Sequence, residues 1–249
     1  VFEIRTYAET ASTNDDALAL LAQPEEAAGV VLVADYQSAG RGRKARPWVA
    51  PPGSSLLATA ILPRRIPHDA LWAVTFWTAL AVADGIEAAT GIRVELQWPN
   101  DLLIDGRKCC GILCVSRVTT DGAWVGCGTG INVTRPAASD AALEALAAIA
   151  PPPAFLSDHA PIVERGALLA AILAAYERRL DDFTGALGIA RAWERRAGLL
   201  GTPYRLQLDD GNAPFDAIAK ALDPGGALIV ESGGVERRIA LADARVLRA

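Results

Sequence analysis

Stretches of continuous apolar residues alternate with stretches of helical period along this chain. Ser12, Thr13 and Asn14 precede the apolar positions Ala17, Leu18 and Leu20, the pattern of a capped helix start. Gly29 to Tyr36 is an apolar run that predicts a buried strand, and Ser55 to Leu62 predicts another. Between them lies a long loop, Gln37 to Ser55, rich in glycine, arginine and proline. Residues 69–90 form a long apolar helix. The pattern then turns to strands: Arg93 to Trp98, a hairpin with its turn at Asp105-Gly106, and Ala123 to Val133. Helices are expected over 139–149, over 162–182 and around Trp193. After Gly198, five short strand-like runs are separated by Asp-Asp-Gly-Asn, Asp-Pro-Gly-Gly and Ser-Gly-Gly, the spacing of a small antiparallel barrel. A domain boundary is therefore expected near residue 200, dividing 1–198 from 199–249.

Composition narrows the function classes. The 249 residues carry a formal charge of −5, with 51% hydrophobic and 21% charged residues, so a packed core is expected and bulk-charge coating of nucleic acid is not. The apolar stretch from Asp69 to Thr90 holds Trp72, Trp77, Asp84 and Glu87, which suits a buried helix better than a membrane span. The N-terminus has no signal-peptide pattern. Cys109, Cys110, Cys114 and Cys127 lack Cys-x-x-Cys spacing and a nearby histidine, and read as small buried residues of a reducing compartment. The cytoplasm is the expected location.

The chemistry concentrates in a few segments. Arg41, Arg43, Lys44 and Arg46 fall within six residues, interleaved with Gly40 and Gly42. Arginine forks match phosphate and carboxylate oxygens, and glycines let backbone approach a ligand. The residues leave open whether this loop binds such an anion, lies solvated or touches nucleic acid. No P-loop pattern occurs, and the glycines at 126, 128 and 130 do not open a helix, so a dinucleotide fingerprint is poorly supported. Trp98-Pro99-Asn100-Asp101 presents two polar side chains, which turn chemistry alone would explain. Lys108 stands in an apolar strand, where an ammonium needs an anionic partner or a route to solvent.

Together these segments resemble the biotin–protein ligase family. The family's motifs match Ser12-Thr13-Asn14, Gln37 through Trp48 followed by Pro52-Gly53, Trp98 through Asp101, Lys108 with Gly111-Ile112-Leu113, and Gly130-Ile131-Asn132, in order across residues 12–133. The resemblance implies an α+β, class II synthetase-like mixed sheet with helices on one side, followed by an SH3-like barrel. It implies a ligase that forms biotinyl-5'-AMP from biotin and ATP, with Mg2+, and biotinylates a lysine of a biotin carboxyl carrier domain.

By that resemblance, Ser12, Thr13 and Gln37 hydrogen-bond the ureido ring of biotin. Asn14, Gly40 and Gly111 join them around biotin or the adenylate, and Arg41, Gly42 and Arg43 close over it. Lys108, with Arg43 the expected catalytic pair, lies against the carboxylate and α-phosphate. Trp48 shields the site. Arg46, Asn100, Asp101 and Asn132 fall on the nucleotide side, with Asp101 near the magnesium and no tight protein metal site. Two positions depart from the family pattern: Gln97 replaces a common lysine, and Ala45 a usual glycine, which stiffens the loop.

The DNA-binding extension of repressor members is not seen in this sequence, so no DNA partner is expected; with no segment that reads as a membrane span, no membrane partner is expected either, while a homodimer is left open. A lipoyl or octanoyl ligase, a non-catalytic biotin sensor and a nucleic-acid binder are the competing readings. The Ser-Thr-Asn opening and the Trp-Pro-Asn-Asp turn favour biotin over lipoate. The cation set exceeds what holding a neutral ureido ring needs. The late strands show no aromatic platform for bases.

Overall fold

The computed structural model describes residues 2–137, 146, 149, 151–161, 163–210, 212–242 and 244–247, and every absence noted below refers to these. The helix expected over 139–149 falls outside this set apart from Leu146 and Ile149. A mixed sheet of seven strands runs in the order β1-β2-β3-β7-β6-β5-β4. Its strands are β1 (Glu3–Thr10), β2 (Val30–Gln37), β3 (Ser55–Ile61), β4 (Glu95–Gln97), β5 (Asp101–Ile104), β6 (Arg107–Thr119) and β7 (Gly122–Asn132). Only β1 and β2 pair in parallel; the rest are antiparallel. The hairpin turn falls at Asp105 and Gly106, both at positive φ (50° and 71°), as an Asp-Gly turn requires.

Strand β1 was not foreseen. It is an edge strand, mostly exposed, and its sequence EIRTYAET has no apolar face to announce it. Its backbone ladder with β2 makes it a strand, and that pairing leaves no local signature.

The continuous apolar character of β2 and β3 follows from burial on both faces. Val31, Leu56, Ala58 and Ala60 face a large core built by the helices α3 (Val74–Thr90), α4 (Arg165–Arg179) and α5 (Ala186–Ala197). Val30, Leu32 and Ile61 face the other way, into a smaller cluster with Ala17 and Leu21. That cluster is covered by α1 (Thr13–Leu20) and α2 (Pro24–Ala27). Helices on a single side were expected; the apolar stripe of α1 instead needed cover on the opposite face. The stretch His68–Thr90 is apolar enough to cross a membrane, yet 72% of its apolar window is buried among α4, α5 and the sheet. Its first six residues, His68–Ala73, form a 3-10 turn.

Helix α5 ends at Gly198 in the left-handed conformation. Beyond it, β8 (Pro203–Leu208), β9 (Phe215–Leu222), β10 (Leu228–Ser232), β11 (Val235–Ile239) and β12 (Ala244–Leu247) form an antiparallel sheet in the order β11-β10-β9-β8-β12. No ladder among the described residues joins β11 to β12, so the sheet is antiparallel without a closed ring of pairing. Tyr204, Leu206, Ala219 and Val230 join the main apolar core, which anchors this sheet beside the first.

Candidate active site

One cavity of about 460 Å³ lies on the α1 face of the large sheet, within the range of small-molecule sites. Its floor is β6 and β7. Cys127, Val125 and Ile131 point into the main core, so the alternate residues Gly128 and Gly130 fall on the cavity face. A Cβ on Gly128 would stand 2.2 Å from Asn14 Oδ1 and 2.6 Å from the Leu113 carbonyl; one on Gly130 would stand 2.7 Å from the Trp48 ring. The glycine run is therefore a flat strand surface against which side chains lie. Glycines two apart in a strand share a face, and that was the signal available in the sequence.

One end of the cavity is a hydrogen-bonding corner at the start of α1. Gln37 Oε1 accepts from the Thr13 backbone N–H at 2.7 Å and from Thr13 Oγ1 at 3.0 Å. Gln37 thus satisfies a helix N-terminal donor that Ser12, in the N-cap position, does not; Ser12 is buried and makes no side-chain capping bond. The capping bond expected at this helix start is therefore not made by Ser12, and the nearest substitute is Gln37 on the Thr13 N–H. Asn14 Nδ2 donates to the Leu113 carbonyl at 2.9 Å, tying α1 to the floor. Thr59, buried in β3, lies 2.8 Å from both Thr13 Oγ1 and Asn14 Oδ1. Sequence reasoning missed Thr59, although a lone threonine within Ser55–Leu62 marks the position.

The other end is cationic. Lys108 Nζ lies 2.6 Å from Asp101 Oδ1 and 5.3 Å from the Trp48 ring centre. A register shift between Leu102 and Leu103, pairing Leu102 with Cys110 and Leu103 with Lys108, makes a β-bulge opposite them. Cys109 and Cys110 are consequently both buried in the core, and Lys108 turns to the cavity face beside Gly111. Without the bulge, strict alternation would send Lys108 into the core. Burial holds the Cys109 thiol up at about 12 and the Cys110 thiol well above its usual range, so both stay protonated.

Asn100 is buried; its amide donates to the Ile112 carbonyl at 2.7 Å and its oxygen lies 3.5 Å from Arg43 Nη1. The turn carrying it is propped by the second sheet: the Trp98 backbone N–H donates to Tyr204 Oη and its indole N–H to the Gly226 carbonyl, each at 3.4 Å. Asn132 is buried behind Lys108, donating to the Lys108 and Ala154 carbonyls at 3.3 and 3.1 Å.

The arginine loop crosses the cavity mouth. Arg41 forms a two-pronged pair with Asp15 at 2.6 and 2.7 Å, so its charge is balanced by α1. Arg43 is half buried, and its guanidinium donates to the Leu241 carbonyl in the turn before β12 and to the Ala244 carbonyl at the start of β12. Desolvation lowers its pKa, with Asp101 opposing that shift. Arg46 and Gly42 line the cavity. Trp48 Nε1 is buried without a partner among the described residues, a donor that a ligand acceptor would satisfy. Gly40 is the one expected site residue not on the cavity wall; it backs the loop, its carbonyl accepting from the Trp48 N–H at 2.9 Å. No three His, Cys, Asp or Glu side chains come together as a metal site among the described residues.

A mixed α+β sheet carrying a polar corner, a glycine floor and a cationic end defines a binder of a small molecule that is neutral at one end and anionic at the other. The model of the biotin/lipoate A/B protein ligase family matches residues 7–132, and the chain belongs to that family. The chain is 35% identical over 230 residues to the biotin–[acetyl-CoA-carboxylase] ligase of Paracoccus denitrificans, covering 90% of this chain and 92% of that one. It is 33% identical over 242 residues to the bifunctional ligase/repressor BirA of Bacillus subtilis, covering 95% of this chain and 72% of the relative. The biotin protein ligase of Aquifex aeolicus, solved with biotin and ATP, superposes with a TM-score of 0.77 over 99% of both chains at 22% identity, which shows the shared fold.

Proposed function

We propose that this chain is a biotin–protein ligase. It joins biotin and ATP into biotinyl-5'-AMP and pyrophosphate, then transfers biotin to one lysine of a biotin carboxyl carrier domain. The observation that carries this reading is the polarity of the cavity, with the neutral hydrogen-bonding corner of Thr13 and Gln37 at one end and Lys108, Arg43 and Arg46 at the other. A ureido ring has the donors and acceptors for the first, and a carboxylate meeting a phosphate has the charge for the second. Relatives at 30–35% identity over most of both chains carry the biotin–[acetyl-CoA-carboxylase] ligase name, which supports biotin over lipoate.

In the first half-reaction a biotin carboxylate oxygen attacks the α-phosphorus and the bond to the β-phosphate bridging oxygen breaks. Lys108 sits where it offsets charge on the attacking carboxylate and the α-phosphate, and Arg43 and Arg46 extend that field toward the phosphates. In the second, the carrier amine attacks the acyl carbon, AMP leaves with the bonding pair, and the amine loses its proton. No serine, cysteine or histidine nucleophile is needed, consistent with the buried, protonated state of Cys109 and Cys110. Asp101 offers a carboxylate for a magnesium ion carried in on the nucleotide, which keeps most of its ligands from phosphate and water. Ser12, Thr13, Asn14 and Gln37 take the ureido end; Trp48 and Arg41 cover the mouth. Residues 1–198 act as the catalytic domain and 199–249 as an SH3-like domain. Four free thiols fit the reducing cytoplasm expected for the chain.

The test is pyrophosphate release with ATP, magnesium and biotin, followed by addition of an apo carrier domain and detection of biotinylated lysine. Release with lipoate instead of biotin, or carrier labelling that does not need ATP, would overturn the proposal.

A further inference from the structure

The loop that crosses the cavity contains two consecutive non-glycine residues at positive φ, Lys44 (φ 56°, ψ 36°) and Ala45 (φ 54°). Residues with a side chain are disfavoured there, and they stay there only where surrounding contacts over-determine the backbone. Part of that hold is local: the Gly42 N–H donates to the Arg46 carbonyl at 2.8 Å, and Arg41 bridges Pro47. The rest comes from the second sheet and its turns. Lys44 forms an ion pair with Asp209, in the turn after β8, while Arg43 is held by the Leu241 and Ala244 carbonyls. Arg43 itself stands at the cavity mouth, 3.5 Å from Asn100 Oδ1.

We infer that Asp209 is a positioning residue for the reaction: by holding Lys44 it fixes the strained turn and keeps Arg43 across the mouth of the cavity. It does not line the cavity; it acts through Lys44 and, as a nearby negative charge, on the Arg43 guanidinium. The inference rests on the loop being the lid over an activated ligand, as proposed above. Lys44 is 29% exposed and Asp209 56%, so the pair is moderate in strength and works as a bias on loop position.

The experiment measures release of labelled biotinyl-adenylate from the full-length enzyme into excess unlabelled biotin, for wild type, Asp209→Lys, the swap Lys44→Glu/Asp209→Lys, and Asp209→Lys/Ala45→Gly. Replacing attraction by repulsion should speed release roughly five-fold, the upper end for an exposed pair. Pyrophosphate release in the first turnover should slow by a smaller factor than release of the adenylate speeds up, because Lys108 and Arg46 still offset phosphate charge when Arg43 shifts. The swap should return release to within about two-fold of wild type, and Ala45→Gly should recover part of the loss, since glycine holds positive φ without strain. A merely structural role for Asp209 would move thermal stability and both rates together and would not be rescued by glycine at 45. Release unchanged in Asp209→Lys, or a swap as leaky as the single variant, overturns the inference. Failure of wild type to form adenylate at all would count against the proposed function instead. In that case amide exchange of residues 40–48 in the same four proteins decides: faster exchange in Asp209→Lys, reversed by the swap, supports the anchor, and equal exchange refutes it.

Discussion

Replacing Lys108 by alanine should nearly abolish adenylate formation while leaving the fold intact. The ammonium sits 2.6 Å from Asp101, with the two side chains 28% and 14% exposed, in a setting between surface and interior. Two unit charges about 4 Å apart at an effective dielectric of about 20 interact by roughly 4 kcal/mol. That corresponds to roughly three powers of ten in rate if the interaction is made only as charge develops on the α-phosphate. The ammonium is partly exposed, so solvent screens some of that interaction, and the expected loss is on the order of 10²–10³, the range seen when one transition-state charge contact is removed. The fold bears a smaller burden. Taking the ammonium away from the partly solvated Asp101 carboxylate costs on the order of 1–3 kcal/mol. For a chain of this size that lowers Tm by roughly 2–4 °C per kcal/mol. The assay is single-turnover pyrophosphate release at saturating biotin and ATP, with circular dichroism melting alongside. Lys108→Arg should retain part of the rate, because the charge persists although the fork is wider. A folded Lys108→Ala protein that releases pyrophosphate at the wild-type rate would refute the assignment.

Other outcomes follow from single features. Arg43→Gly should leak biotinyl-adenylate and label bystander lysines, read on a streptavidin blot with an unrelated lysine-rich protein; bystander labelling at the wild-type level would reassign Arg43 to docking the second sheet. Gly128→Ala should lose stability by about 1–3 kcal/mol, because its Cβ meets Asn14 and the Leu113 carbonyl and the surroundings are overpacked; unchanged urea unfolding with unchanged biotin binding contradicts the contact. Cys109 and Tyr204 are both pushed up to about 12 by burial, so the folded form holds their protons longer than the unfolded chain does. Stability is then intact below about pH 8.5 and falls as pH climbs toward 12. Urea midpoints at pH 8 and 10.5 should differ, and by less in Cys109→Ala; an equal drop in that variant removes the thiol from the account.

What the sequence by itself determined is local or written in residue type. The apolar runs of β2 and β3, the Asp-Gly hairpin turn, the left-handed stop at Gly198 and the five late strands are all set by neighbours a few residues apart. The charge-dense loop and Lys108 were also visible as groups that need an anion. Three matters were decided only by tertiary structure. The edge strand β1 exists because β2 offers a parallel ladder, and a mostly exposed strand leaves no apolar period to read. Lys108 reaches the cavity because a bulge opposite Leu102 and Leu103 shifts the register, and pairing register belongs to two strands at once. The arginines that look alike in sequence have separate partners: Arg41 is balanced by Asp15 on α1, whereas Arg43 rests on carbonyls at and just before the start of β12, about 200 residues further along the chain. Charge and propensity are properties of a residue, but the partner that gives a charge its task is chosen by packing.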